Sequence, residues 1–373
     1  MSNKNVINLD VAIIGGGNAG MTLAKNLAAQ RNNLVTTVFE PKTPQQRNYC
    51  WSLWATPEQQ AGLKHCERGS WHKWRLVSDE EDVLLTSKKF NYLCLSSTDY
   101  LQHSEDSLEG CIDIKRSSVD NLTGQHNFIS QGQDYRAEHI FDSRPPLEAA
   151  YGLKQHFLGW EIRTKQPLPD TTVATLMDFR VDQSRGLHFI YALPFSNHNL
   201  FVESTMISRQ LEDKDWYRQA ISEWLCNQGI EVEELIREEI GVIPMEDVTK
   251  ASSNESKIGA ASGAVRLSSG YAFSAIQIQM ATLAKGISKG NFVIPQTTSG
   301  FLNTMDNIFN SVLLSESRIA PRIFLHTAKA LNGDQFAHFM LGSAGFFEWF
   351  KVVFSMPKVP FIKQAWRQVF KHD

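Results

Sequence analysis

The chain has 373 residues, with 37 Lys and Arg against 40 Asp and Glu, for a formal charge of −3. Hydrophobic residues at 42% and charged residues at 21% are an ordinary globular balance, which excludes collagen-like and low-complexity classes and leaves no basic footprint for nucleic acid. No stretch approaches 18 uncharged apolar residues, and the opening apolar run leads into glycines with no cleavage site after it, so neither a spanning helix nor a secretory signal is expected.

Residues 11–14 are an apolar, β-branched run. Gly15, Gly17 and Gly20 follow in the spacing Gly-x-Gly-x-x-Gly, then an apolar helical pattern, then a second strand pattern over 34–39 ending at Glu40. This is a β-turn-α-β unit for a dinucleotide. Gly15 allows the tight turn, Gly17 lets a pyrophosphate approach the backbone, and Gly20 lets helix and strand pack closely. The helix N-terminus offers free N–H groups to the phosphates. Glu40, twenty residues after Gly20, is placed to accept ribose hydroxyls. FAD is expected rather than NAD, because the unit opens the chain and no separate compact catalytic domain follows it.

Residues 47–75 carry Trp51, Trp54, Trp71 and Trp74, read either as a buried aromatic cluster or as a wall for a flat or polyene ligand. Residues 90–140 read as short strands and turns. A strand then ends in Asp142-Ser-Arg144-Pro-Pro146, where Asp142 and Arg144 lie near the cofactor or form a structural ion pair. Four strand-like segments between 155 and 205 read as an antiparallel substrate sheet holding Glu161, Asp178 and Glu203, and 213–238 is helical in pattern. Glu203, between Val202 and other apolar residues, is either a solvent-facing strand residue or a desolvated carboxyl kept protonated as an acid. Gly259, Gly263 and Gly270 mark a second glycine-rich strand-turn-helix, opening a helix through 276–283 and suited to the far side of a flavin.

The expected fold is α/β with mixed α+β character. An FAD-binding Rossmann-type domain is formed by 1–150 and 241–300, an antiparallel substrate sheet by 151–240 is inserted into it, and a helical region spans 301–373. From 345 to 373 there are eight aromatic residues, with five basic residues against two acidic ones, broken by Pro357 and Pro360. This stretch either lies on a membrane surface or packs on the core. Five cysteines without a CxxC pair suit reduced thiols in a cytoplasmic protein, and eleven histidines without HExxH or HxH spacing give no metal site.

Several segments together resemble the FAD-dependent lycopene cyclases, the bacterial lycopene beta-cyclases in particular. They are the Gly15–Gly20 fingerprint with Glu40, Trp51-Ser-Leu-Trp54, Asp142-Ser-Arg144-Pro-Pro, Phe157-Leu-Gly-Trp-Glu161, Met177-Asp178-Phe179, Tyr191-Ala-Leu-Pro194, Phe201-Val-Glu203-Ser-Thr205, and Gly259 through Gly270-Tyr271. The resemblance implies a flavoprotein-hydroxylase-like fold and the non-redox cyclisation of the ψ-ends of lycopene, or of other acyclic or monocyclic carotenoids, to β-rings. It implies Glu203 as the acid/base, Glu161 as a second required carboxylate and, more weakly, Asp178 as a third. It also implies FAD active in its reduced form, with NADPH as reductant, and a cytoplasmic protein held peripherally on the inner face of the membrane. One departure stands out: Arg266-Leu-Ser-Ser-Gly270-Tyr replaces the family's Pro-Ser/Thr-x-Gly-Tyr. The alternative class is a flavin monooxygenase of the same fold acting on a hydrophobic substrate.

Overall fold

The computed structural model describes residues 6–30, 33–145, 152–247 and 256–369, the side chains of 368 and 369 excepted. Pro146, the expected boundary at 150–151, and Phe370, Lys371 and Asp373 lie outside the described residues.

The N-terminal strand Ile7–Ile14 is buried toward its C-terminal end and pairs in parallel with Thr36–Phe39 on one side and Gln133–Asp142 on the other. Asp113–Lys115 extends one edge of this six-stranded sheet, while Asn127–Ser130 and Val119–Leu122 extend the other. Residues 11–14, buried on both faces of the sheet, read as a continuous apolar run. Helix Asn18–Ala29 packs on it, and Met21, Leu23 and Leu27 share a core with Ile276, Met280 and Leu283 of helix Phe273–Ile287. An isolated parallel bridge from Asp142 to Lys257 brings the late glycine-rich segment beside the first unit.

The second sheet has seven strands in the order Val232–Pro244, Lys154–Thr164, Asn199–Ser208, Leu187–Ser196, Val173–Asp178, Lys73–Val77 and Asp82–Thr86. The boundary drawn at residue 150 is therefore crossed, because Lys73–Val77 pairs in parallel with Val173–Asp178 and Asp82–Thr86 follows it by a hairpin. The segment read as one helix over 213–238 is helix Lys214–Asn227 followed by an edge strand. Gly229 at φ +67° turns the chain between them. Alternating charges along that edge strand, Glu234, Arg237 and Glu239 among them, mimic helical polarity. Ser96 caps a further helix, Ser97–Asp106, inside the stretch read as strands and turns. A three-stranded sheet, Cys50–Ala55, Asn91–Ser96 and Glu67–Trp71, joins the two large sheets.

Strand alternation assigns the faces of the second sheet. Val202, Leu158 and Ile190 face helix Lys214–Asn227 through Tyr217, Ile221 and Trp224. Phe201, Phe189 and Leu176 face the other way and share a core with Trp54, Trp74, Leu325 and Phe336. The helices from Gly300–Ser315 onward cover that side. Phe346–Ser355 and Lys358–Val369 close the described chain and are separated at Pro357, while Pro360 is accommodated in the first turn of the second.

Candidate active site

A cavity of about 1220 Å³ runs through the molecule. One end is lined by Gly15, Gly17, Glu40 and Arg144, the middle by Gly270, Tyr271, Tyr191, Phe201 and Glu203, and the far end by Phe354, Lys358 and Ile362.

The first end has the shape of a nucleotide cradle. Gly15 adopts φ +89°, and a Cβ on Gly20 would stand 2.0 Å from the Gly15 carbonyl oxygen, so the turn and the close packing both require glycine. Gly17 caps helix Asn18–Ala29 with no side-chain hydrogen bond, and nothing lies within 4 Å of the place its Cβ would take. Open space against uncapped N–H groups is what a pyrophosphate occupies. Glu40 lines the cavity, with Oε2 accepting from Gly16 N at 2.8 Å and Oε1 from Lys42 N at 2.9 Å. Its remaining lone pairs are those available to a ribose. The residues fit a dinucleotide. Asp142 does not line the cavity: it is fully buried, bound by Arg144 and Lys257, and held below the usual carboxylate range by those hydrogen bonds against the cost of burial. Its neighbour Arg144 is the one that faces the site. Gly259 and Gly263 shape the late turn at φ +69° and +87° without lining the cavity, and a Cβ on Gly259 would stand 2.7 Å from that of Ala19.

Glu203 is in the middle of the cavity, 8% exposed, with Oε1 accepting from Thr205 Oγ1 at 2.5 Å. Burial pushes its carboxyl up to about 8, the Thr205 hydrogen bond opposes this and nearby Glu239 adds to it. The register explains the pair: Gly159 lies opposite Glu203 on one side and Glu239 on the other, so no side chain separates them from the middle strand. Beside Glu203, Ser52 Oγ, Tyr191, Tyr92 and Tyr271 are joined by hydroxyl contacts of 2.8 Å each. These hydroxyls satisfy one another inside an otherwise aromatic wall. Trp51 and Trp54 line the cavity, whereas Trp71 and Trp74 support it from the core.

Glu161 is one row further on the same face, opposite Phe201 and Arg237, and does not line the cavity. Arg68 grips it with two hydrogen bonds and Arg237 with a third at 2.7 Å. Burial opposes its charge, but Arg68, then Arg237 and Asn199, draw it down to about 2. It is an anion at every working pH and no proton donor. Arg237 passes on to Glu239, which also accepts from Cys50 N at 3.1 Å. Asp178 is removed from the site by the register shift between Thr175 and Asp178: Leu176 and Met177 both line the cavity, and Asp178, opposite Ile190, is bound to Arg180 and Trp224 Nε1. The sequence reading missed Arg237, inside the segment misread as helix, Glu239, just beyond its expected end, and Arg68, for which no local signal exists.

A family model described as lycopene cyclase protein matches residues 10–360. A lycopene beta-cyclase of Pseudescherichia vulneris is 23% identical over 388 aligned positions, 97% of each chain. A lycopene beta-cyclase of Pantoea ananas is 24% identical over 63% of this chain and 62% of its own. Among solved structures, a geranylgeranyl bacteriochlorophyll reductase-like protein of Thermoplasma acidophilum superposes with a TM-score of 0.64 at 13% identity, over 97% of this chain and all of that one, a likeness of fold.

Proposed function

The chain belongs to the lycopene cyclase family, and we propose that it converts the ψ-ends of lycopene to β-rings, through γ-carotene to β-carotene. The observation that carries the chemistry is Glu203, a carboxyl raised to about 8 within a cavity walled by aromatic rings. A proton donor near neutral pH is what the first step needs. Glu203 gives its proton to C2 of the terminal double bond, leaving a tertiary cation at C1. The C5=C6 pair attacks C1, closing the ring and moving the cation to C5. The Glu203 carboxylate then removes the C6 proton, restoring C5=C6. C2 and C6 are both bonded to C1 in the new ring, so one carboxyl serves both transfers. One proton enters and one leaves, and no electrons are exchanged.

The side chains around Glu203 protect the cation. The faces of Tyr191, Phe201 and Trp54 offer their negative quadrupoles, and the hydroxyls of Ser52, Tyr191, Tyr92 and Tyr271 are occupied with one another. Residues Gly15, Gly17, Glu40 and Gly270 would hold FAD along the cavity. In its reduced form, maintained by NADPH, FAD would supply negative charge to the cationic transition state. A further part of the proposal is peripheral docking on the inner face of the membrane, where the substrate dissolves. The exposed Phe346, Phe347 and Phe350, on the helix whose Phe354 lines the far end of the cavity, support it.

The test is expression in lycopene-accumulating cells with chromatography of the pigments. Loss of lycopene with gain of γ- or β-carotene is expected; unchanged lycopene beside folded, FAD-loaded protein refutes the proposal. Purified protein should not consume NADPH in proportion to product, whereas one equivalent per product favours the monooxygenase class.

A further inference from the structure

A bare hydrocarbon has no use for a buried ion pair, yet Arg266 and Asp306 line the cavity at 6% and 2% exposure. Arg266 Nε stands 3.5 Å from Asp306 Oδ1, and the guanidinium lies over the Phe339 ring at 4.6 Å. Arg266 Nε and Nη1, and the neighbouring Ser269 Oγ, are buried without a hydrogen-bond partner among the described residues. Asp306 Oδ2 accepts only a long bond of 3.4 Å from Ser268 N among those described. Unpaired buried donors, charged ones above all, are destabilising, so their presence beside a ligand space points to a ligand atom that completes them.

The chemistry narrows that atom. A carboxylate at 3.5 Å from Arg266 opposes any anionic group there. A hydroxyl is the neutral group that accepts from a guanidinium and donates to a carboxylate at once. Asp306 and Phe339 belong to helices Gly300–Ser315 and Gly333–Met340 of the layer that covers the substrate sheet, and Arg266 reaches them from the loop before Gly270. Arg266 is also in the loop whose sequence departs from the family's Pro-Ser/Thr-x-Gly-Tyr.

We propose that Arg266 and Asp306 form a subsite for a hydroxyl group carried by the polyene substrate, so that the chain selects an oxygenated acyclic carotenoid over the bare hydrocarbon. This rests on the carotenoid reading of the cavity. The experiment uses the full FAD-loaded chain in detergent micelles with two probes: lycopene, and a lycopene derivative bearing a tertiary hydroxyl at one end. Binding is read by quenching of tryptophan fluorescence, and ring formation by chromatography. The wild-type chain should prefer the hydroxylated probe by about tenfold or more in both readouts, the scale set by one unpaired buried donor. Arg266→Met and Asp306→Asn should abolish the preference while retaining lycopene turnover and the flavin spectrum.

Equal affinity of the wild-type chain for the two probes overturns the subsite, and that measurement stands even where a variant fails to fold. Loss of FAD or a shifted flavin spectrum in Arg266→Met, with the preference intact, also overturns it and assigns the arginine to the cofactor. Absence of ring formation from either probe refutes the cyclase reading instead, while a binding preference for the hydroxyl would leave the subsite standing.

Discussion

Glu203 and Glu161 occupy adjacent rows on one face of one sheet and hold opposite protonation states. Desolvation with one hydroxyl for company raises Glu203 to about 8, and two guanidinium groups bring Glu161 to about 2. Cyclisation rate should therefore be flat through neutral pH and fall above about pH 8, as Glu203 loses its proton; a rate that rises through this range excludes it as the acid. Stability follows the same group. Its folded value lies above its unfolded one, so its contribution is fully present below about pH 4.5 and is lost as pH rises through about 8. Glu203→Gln should accordingly melt above the wild-type chain at pH 9 but not at pH 4, keep FAD, and make no ring. Glu161→Gln is expected to act differently. It strands Arg68 and Arg237 beside a neutral amide, at a cost of about 3–5 kcal/mol in denaturant unfolding. It also loosens Arg237 from Glu239, which should move the alkaline limb of the rate profile. An unmoved limb in a folded Glu161→Gln enzyme leaves Glu161 with a purely structural task.

At the level of elements, the parts governed by local rules were legible in the chain. The glycine turn, its helix and Glu40 are set by contacts within forty residues, and the helix Phe273–Ile287 carries its own apolar stripe. The two glycines of the turn predict separable outcomes. Gly20→Ala forces a Cβ against the Gly15 carbonyl and should cost about 1–3 kcal/mol with or without cofactor. Gly17→Ala meets open space, so the apo protein should melt as before while FAD affinity falls by about tenfold or more; unchanged FAD affinity would place the pyrophosphate elsewhere. What stayed illegible depends on partners distant in sequence. Asp178 and Glu161 are strand carboxylates much like Glu203, and only a register shift before Asp178 and the arrival of Arg68, 93 residues from Glu161, separate their roles. The edge strand Val232–Pro244 alternates charge and isoleucine in a way that also satisfies a helix, and its pairing with Lys154–Thr164 decides the matter.

On the scale of the whole molecule, the cavity joins a nucleotide turn to an apolar surface. No described helix is long and apolar enough to cross a membrane. Helix Phe346–Ser355 instead exposes Phe346, Phe347, Phe350, Val353 and Phe354, and Lys358–Val369 exposes Val359, Ile362 and Trp366. Both sets recur at helical spacing, and Lys351, Lys358, Lys363 and Arg367 are exposed on the same two helices. Val353, Phe354 and Ile362 belong at once to this surface and to the cavity lining, so the exposed apolar face is continuous with the cavity that Glu203 also lines. Aromatic insertion with basic flanks is the physics of interfacial binding. The protein should float with vesicles containing anionic lipid and less so as salt rises. Replacing Phe346, Phe347 and Phe350 together by Ser should abolish flotation and lower ring formation from vesicle-borne lycopene at least about tenfold, since each exposed ring contributes about 1.5–3 kcal/mol when buried. Turnover of lycopene dissolved in detergent should be little changed, because these three side chains are not near Glu203 and line no part of the cavity. Equal loss in detergent and in vesicles would mean that the helices serve the fold, and that the substrate enters by another face.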